Sequence, residues 1–431
     1  MKPTVLIYKF AFVLAVLVTA AGISEAQKGP RQEKLLNGLK LIMWPDQTAD
    51  KVSVKIRVHS GSAFDPQGKE GTMYLLARNF FPNDASREFF TEDLGGKVEV
   101  VSNYDYIQIN AESNPESIVP MLDTLAQVAS NPTIDKETTD KLKSDLVAEV
   151  DQLEKDPVYV ADQAVAKRLF GKFPYGRPER GTKDSIAKID HLELRFAKDR
   201  FFGADNATMT ISGKFDPDLA YRAVRRYLGA WLKSDKRVPS TFEQPEAPKG
   251  GMPVVESPVE NKSEFRIALR GTARNDASYH AAEILGLILK ERLQMKEGRS
   301  AFARHQGHIL PGFFVLGVSG WNLGRIRKEG NSISLPVMDG YQSRFLNDPL
   351  KVEEFEKAKA QYVGSLGTNL AEQWLDADTY KLASVKIDAE APQNTKLADV
   401  QAVLERTQKE AAALVLVFAN EKTTASGLTV P

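Results

Sequence analysis

Cysteine is absent from the 431 residues, which excludes disulfides, thiol nucleophiles and thiolate-bound metals. It also excludes a lipid anchor carried on an N-terminal cysteine. Charge of one sign is lacking as well: Lys plus Arg and Asp plus Glu stand at 57 each. No net field therefore draws the chain to nucleic acid or another polyanion. Beyond the first 22 positions no apolar run approaches the roughly 18 residues that a membrane-spanning helix needs. Neither a G-x-S-x-G elbow nor a Walker-type phosphate loop occurs, so serine hydrolase and nucleotidase readings have no support.

What is present reads as a folded chain. Hydrophobic residues make up 42% and charged residues 26%, too much apolar surface for disorder. The length is two to three times that of a common domain. At the start, Lys2 and Lys9 precede the run FAFVLAVLVTAAG, which is short for a membrane span and is followed by the small-residue site Ser24-Glu25-Ala26. Residues 1–26 are expected to be a secretory signal peptide cut before Gln27, with an uncleaved anchor as the competing reading. Its loss removes Lys2, Lys9 and Glu25 and leaves a mature chain of charge near −1. Export is the consequence, to a periplasm or to the medium.

Residues 233–251, KSDKRVPSTFEQPEAPKGG, are rich in Pro, Gly and charge without an apolar period, and read as a linker. They divide the chain into residues 31–231 and 252–428. Both halves repeat one order of elements. GLKLIMW and VSVKIRVHSG open the first, MPVVESP and EFRIALRG the second. A helical stretch follows in each, Lys69–Phe81 and Ala277–Met295, then two further strands, KVEVVS with YDYIQINAES and AFARHQGH with GFFVLGVSG. Long amphipathic helices close both halves. The expected fold class is α+β: two homologous domains, each a mostly antiparallel sheet packed with helices, facing each other across a chamber.

The segments GSAFDPQGKEGTMYLLARNFF, LGGKVEVVSNYDYIQI, DLVAEVDQLEKDP, FGKFPYGRPERGTKDSIAKI and FFGADNATMTISGKFD occur in that order. Together they resemble the N-terminal domain of the pitrilysin/insulinase metallopeptidases, the group that includes mitochondrial processing peptidase. The similarity continues through ILGLILKERL and the helices after Lys351. That family uses an inverted zinc motif, H-x-x-E-H, on a helix, with a distal Glu some 70 to 80 residues later. Two His at i and i+4 share a helix face, the Glu between them is the general base, and the distal Glu leaves one position open for water.

Where relatives carry the motif this chain reads GTMYLLARNFF, so Tyr74 stands for the first His, Ala77 for the base and Arg78 for the second His. The distal carboxylate is Glu149, 71 residues after Arg78. A phenol is a poor ligand at neutral pH, a guanidinium repels a dication, and alanine activates nothing. The resemblance thus implies a member that has lost the zinc motif, with no catalytic residue, cofactor or metal. The bland account of the same helix is packing, with Met73, Leu76, Phe80 and Phe81 in the core. A buried Glu149 without its metal needs another cation, and Arg78 is expected to pair with it, helped by the Tyr74 hydroxyl.

The family's oxyanion-stabilising Arg/Tyr pair aligns with MKEGRSAFAR, where Lys296 or Arg299 takes the Arg position and Phe302 the Tyr position, without a hydroxyl. His305 and His308 form H-x-x-H in a stretch read as strand, where they point to opposite faces. His59, His191 and His280 stand without a carboxylate at ligand spacing, and structural roles are expected for all five. Asn206 and Asn261 open glycosylation sequons, of consequence only in a eukaryotic host. The leading functional reading is a non-catalytic subunit of an exported zinc peptidase, forming half of a peptide-binding chamber with a homologous zinc-bearing subunit. Alternatives are a stand-alone peptide-binding or scaffold protein, and a peptidase with an unrecognised metal site.

Overall fold

A computed structural model of the chain describes residues 29–234, 242–260, 262–298, 300–320 and 346–418, with the backbone of strand residues 327–329, 332–334 and 429–430. The expected signal peptide, residues 235–241 of the linker, Asn261 and Arg299 lie outside the described residues.

The first sheet has six strands in the order β1 (Arg31–Lys34), β2 (Lys40–Pro45), β6 (Ala207–Gly213), β3 (Val52–Val58), β5 (Ile107–Ser113) and β4 (Lys97–Ser102). In the second the order is β14 (Thr429–Val430), β7 (Met252–Glu256), β13 (Ala413–Phe418), β8 (Ser263–Arg270), β10 (Phe313–Ser319) and β9 (Ala301–Gln306). Strands β11 (Arg327–Glu329) and β12 (Ser332–Ser334) form a separate ribbon. Five strands of each sheet share one topology, β2-β6-β3-β5-β4 matching β7-β13-β8-β10-β9. In each, a single parallel pair, β2 with β6 or β7 with β13, is joined to antiparallel neighbours. The two strands that open each half are therefore not hydrogen-bonded to each other, because the last strand of the repeat inserts between them. Nothing in local periodicity carries that information.

Helices of eight or more residues number six in the first half: α1 (Thr72–Asn79), α2 (Ile118–Ser130), α3 (Lys136–Leu153), α4 (Pro157–Phe170), α5 (His191–Phe201) and α6 (Pro217–Leu228). The second half has α7 (Tyr279–Glu297), α8 (Val352–Ser365), α9 (Leu370–Tyr380), α10 (Val385–Asn394) and α11 (Leu397–Gln408) among the described residues. Helices α3 to α6 all begin at an Asp cap, Asp135, Asp156, Asp190 and Asp216, whose carboxylate accepts backbone N–H bonds of the first turn. Pro157 and Pro217 follow at the first helical position, where a missing N–H costs nothing.

Each sheet buries one face under its own helices, with cores that include Ile56, Ile109, Leu76 and Leu146 in the first half and Ile267, Leu285, Leu316 and Val403 in the second. The other faces are covered reciprocally. Helix α4 of the first half lies on the open face of the second sheet, where Val165, Leu169 and Phe170 pack with Ala268, Val315 and Val415. Helix α9 of the second half lies on the open face of the first sheet, and there the contact is polar. Arg57 on β3, 1% exposed, donates to Asp376 at 2.6 Å and to Glu372 at 2.5 Å, and its guanidinium is 3.9 Å from the centre of the Tyr106 ring. Lys55 pairs with Glu372, and Lys40 with Asp378 at 2.9 Å.

Candidate functional site

Helix α1 follows Gly71, which adopts φ +98° and takes its place beneath the backbone of Arg180. The Asp65 carboxylate accepts the N–H groups of Gly71 at 2.7 Å and Met73 at 2.8 Å, satisfying the first donors of the helix. Met73, Leu75, Leu76 and Ala77 turn into the core. Tyr74 and Arg78, one turn apart, remain on the partly exposed stripe.

Across from them lies α3 with Glu149. Arg78 donates from Nη2 to Glu149 Oε2, and Arg180 donates from Nη1 to Oε1 at 2.5 Å. One carboxylate is thus shared by two guanidinium groups. Both also face the Tyr74 ring, Arg78 at 5.0 Å and Arg180 at 5.3 Å from its centre. The expected pairing of Arg78 with Glu149 is present. Tyr74 serves it by its ring and not by its hydroxyl, and Arg180 was not anticipated. Its loop is held against α1 by Gly181 at φ +78°, where a Cβ would fall 2.1 Å from the Glu70 carbonyl oxygen, and by Ser185 Oγ donating to that same oxygen at 2.9 Å. Sequence spacing could not reveal a third member delivered by such a loop.

The side chains of Arg78 and Glu149 retain 30% and 28% exposure, between the surface and the buried limits. Arg78→Ala is therefore expected to cost about 1–2 kcal/mol, because Arg180 still neutralises Glu149. A denaturant melt checks this. Removing Arg180 as well should cost more than the sum of the two single changes.

The positions aligned with the Arg/Tyr pair are spread differently. Lys296 lies in the last turn of α7 and Phe302 on β9. The Phe302 ring has the Arg266 guanidinium 4.7 Å and the Arg304 guanidinium 5.1 Å from its centre. Those two arginines share Asp162 of α4, at 2.6 and 2.8 Å. An aromatic ring beside two guanidinium groups that share one carboxylate therefore occurs twice, the second time with Asp162 supplied by the first half and with Glu264 as a further partner of Arg266 at 2.8 Å.

Four of the five histidines find partners well away from them in sequence. His59 contacts the hydroxyls of Thr379 at 2.9 Å and Thr208 at 3.0 Å, and His308 contacts Asp105 at 2.9 Å and stacks on Tyr175. His305 lies on β9 and contacts Glu283 of α7 at 2.8 Å, whereas the strand ends at Gln306 and His308 lies beyond it, so the expected opposite strand faces do not apply. His280 contacts Tyr362 at 2.8 Å and Asp388 at 3.1 Å, and Asp388 also receives both Nη groups of Arg274. Carboxylates thus do reach His280, His305 and His308, through the fold and not through spacing. Among the described residues no cluster of three His, Asp or Glu side chains is arranged to hold a metal ion.

Burial works against the charge of Asp388, yet the hydrogen bonds from His280 and Arg274 hold its carboxyl well below the usual carboxylate range. A depressed acid stabilises the fold above its unfolded value, near 4, and that contribution is lost as pH falls below it. Asp388→Asn is expected to cost about 1–3 kcal/mol at neutral pH, with the difference from wild type narrowing below about pH 4 in chemical melts.

Between the two halves a cleft of about 300 Å³ opens beside the Glu149 cluster. Tyr104, Tyr159, Asp162, Glu179, Arg180 and Arg304 are among its lining residues. It connects the two aromatic–arginine assemblies: Arg180 belongs to one, Arg304 and Asp162 to the other.

Residues 41–183 match the family described as Insulinase (Peptidase family M16), and residues 188–362 match Peptidase M16 inactive domain. An uncharacterized zinc protease of Bacillus subtilis (strain 168), YmxG, is 22% identical over 216 residues, 49% of this chain and 52% of that protein. The match thus spans about half the length of that curated relative, and the same holds for two from Rickettsia. A crystal structure of a peptidase M16 inactive domain from Pseudomonas fluorescens superposes with a TM-score of 0.78 at 18% identity, over 92% of this chain and 99% of that one. The first half of the periplasmic protease PqqL from Escherichia coli superposes with a TM-score of 0.67 at 14% identity, over 91% and 92%. Against the complete PqqL chain the same similarity covers 48% of its length.

Proposed function

The chain belongs to the insulinase family of peptidases, and we propose that within it the chain is a non-catalytic subunit, forming half of a peptide-binding chamber whose other half is a homologous zinc-bearing subunit. The observation that carries this reading is the pairing of Glu149 with both Arg78 and Arg180 at the place where the family's zinc motif aligns. The residues there do not suit the metal. Tyr74 is a poor ligand, Ala77 is a buried methyl group at the position of the base, and two guanidinium groups occupy the carboxylate that would complete the ligand set. The aligned Phe302 likewise offers no hydroxyl to an oxyanion.

Need for a partner is supported by size. A chain of this fold amounts to about half of complete PqqL, whose two halves are carried on one polypeptide. The division at residues 233–251 and export through the N-terminal segment belong to the same proposal. No described helix is long and apolar enough to cross a membrane. A stand-alone peptide-binding protein is the second reading, favoured by the cleft, which is complete within one chain. The deciding experiment is co-expression with an exported homologue that keeps H-x-x-E-H. Stable co-purification, with peptidase activity that neither chain has alone, is the expected result. Full activity of the homologue without this chain, and no complex between them, would end the subunit reading.

A further inference from the structure

The interdomain cleft has an unusual charge arrangement. Two carboxylates at its edge are each shared by two arginines: Glu149 by Arg78 and Arg180, Asp162 by Arg266 and Arg304. The first assembly carries one guanidinium in excess of its carboxylate, whereas in the second the buried Glu264 balances Arg266 at 2.8 Å and leaves Arg304 to share Asp162. The arginines that line the cleft are also the more accessible of each pair, Arg180 at 36% and Arg304 at 42% exposure, against 30% for Arg78 and 0% for Arg266. Each spends a single nitrogen on its carboxylate, Nη1 of Arg180 and Nη2 of Arg304. A guanidinium has five N–H donors in a planar fork, so donors remain on both toward the cleft.

The walls between them are aromatic and aliphatic, with Tyr104, Tyr159, Phe313 and Val315. A cleft of this volume, apolar along its sides and bordered by two partly satisfied guanidinium groups, suits a short peptide segment bearing a negative group. We propose that the cleft binds a peptide carboxylate, from a C-terminus or from an Asp or Glu side chain, between Arg180 and Arg304. The ligand class rests on the peptide-chamber reading above, but the site is built by this chain alone and requires no partner.

Two carboxyl groups line the cleft: Asp162, whose two oxygens are taken by Arg266 and Arg304, and Glu179, which opposes such a ligand. Burial raises its carboxyl above the ordinary value, against the lowering effects of His308, the Tyr104 amide and Arg180 and together with the raising effect of Asp105. A carboxyl that protonates more readily is a weaker barrier to an anion, and Glu179→Gln should strengthen binding.

The test is calorimetry on the purified full chain at low ionic strength with four N-acetylated pentapeptides of Ala, Leu and Phe. One has a free C-terminal carboxylate, one is amidated, one is amidated with an internal Glu, and one is amidated with an internal Lys. The acid or the Glu peptide is expected to bind at least about tenfold more tightly than the neutral amide, and the arm that does so identifies the carboxylate's source. Arg304→Gln should remove most of that preference. Because Arg304 is the most exposed of the four arginines, its loss should leave the melting temperature nearly unchanged. Arg180→Gln should weaken the preference too, with melting temperature as its control for folding. Equal binding of acid and amide, preference for the Lys peptide, or no binding of any probe at millimolar concentration would each overturn the proposal. Carboxylate binding without assembly with a zinc-bearing homologue would leave this inference standing while the subunit reading fell. Assembly without carboxylate preference would do the reverse.

Discussion

Arg57→Ala is expected to destabilise the protein by about 3 kcal/mol or more, the largest loss from any single truncation at the domain interface. The guanidinium is 1% exposed and meets Glu372, Asp376, Gln108 and the face of Tyr106. Its removal leaves two acidic side chains of α9 facing a polar sheet, with Lys55 able to answer only Glu372. Asp376 already feels its burial, which raises its carboxyl above the ordinary value against the pull of Arg57. Uptake of a proton at Asp376 is the relief available to the variant, so its deficit should be larger at pH 8 than at pH 5. Urea melts at the two pH values check both the size and the slope. A loss below 1 kcal/mol would mean that α9 is held by other contacts.

The other reciprocal contact should respond less. Arg266 is fully buried, but its Nη2 has no hydrogen-bond partner, and apolar packing of Val165, Leu169 and Phe170 holds α4 around it. Methionine at Arg266 keeps most of the volume and removes an orphaned donor. Breaking its contacts to Asp162 and Glu264 offsets that gain. Arg57→Met has no such compensation, so the two arginines separate a contact that depends on charge from one that depends mainly on packing.

These two residues also show where sequence reading stops. In VSVKIRV and SEFRIALR the alternation of apolar and polar residues correctly gives strands with Ile56 or Ile267 turned inward. By the same rule Arg57 and Arg266 belong on a solvent face. They are buried because a helix from the other half covers that face, and its acids lie 104 to 319 residues away. The repeat itself was legible from the order of elements, whereas the insertion of β6 and β13 between the opening strands was not, since pairing across 150 residues leaves no local trace. At the site, Arg78 and Glu149 could be joined by reasoning from charge: a carboxylate aligned with a metal ligand requires some cation. Arg180 could not, because two glycines with positive φ and a serine contact, not a spacing rule, deliver its loop to the helix.

Arg180 changes what is needed to rebuild a zinc site. Purified wild-type chain is expected to carry no stoichiometric zinc by elemental analysis. Tyr74→His, Ala77→Glu and Arg78→His together supply both imidazoles and the base, yet Glu149 would stay paired with Arg180 in that variant. A guanidinium so placed repels a dication and competes for its ligand, so the triple variant should retain zinc only in part after dialysis. Adding Arg180→Leu frees Glu149, and occupancy should rise toward one zinc per chain. Stability gives a second readout. Ala77 is 4% exposed, so a glutamate there pushes a carboxylate into the core and should lower the melting temperature of the metal-free variants. Zinc should restore much of that loss in the fourfold variant and little in the threefold one, because ligand binding stabilises only in proportion to affinity for the folded state. One tightly bound zinc in the wild-type chain would contradict the loss of the site outright. Equal zinc retention by the threefold and fourfold variants would instead show that Arg180 leaves Glu149 without cost. Peptidase activity is not expected from either, since Phe302 still lacks the hydroxyl that the aligned tyrosine offers an oxyanion.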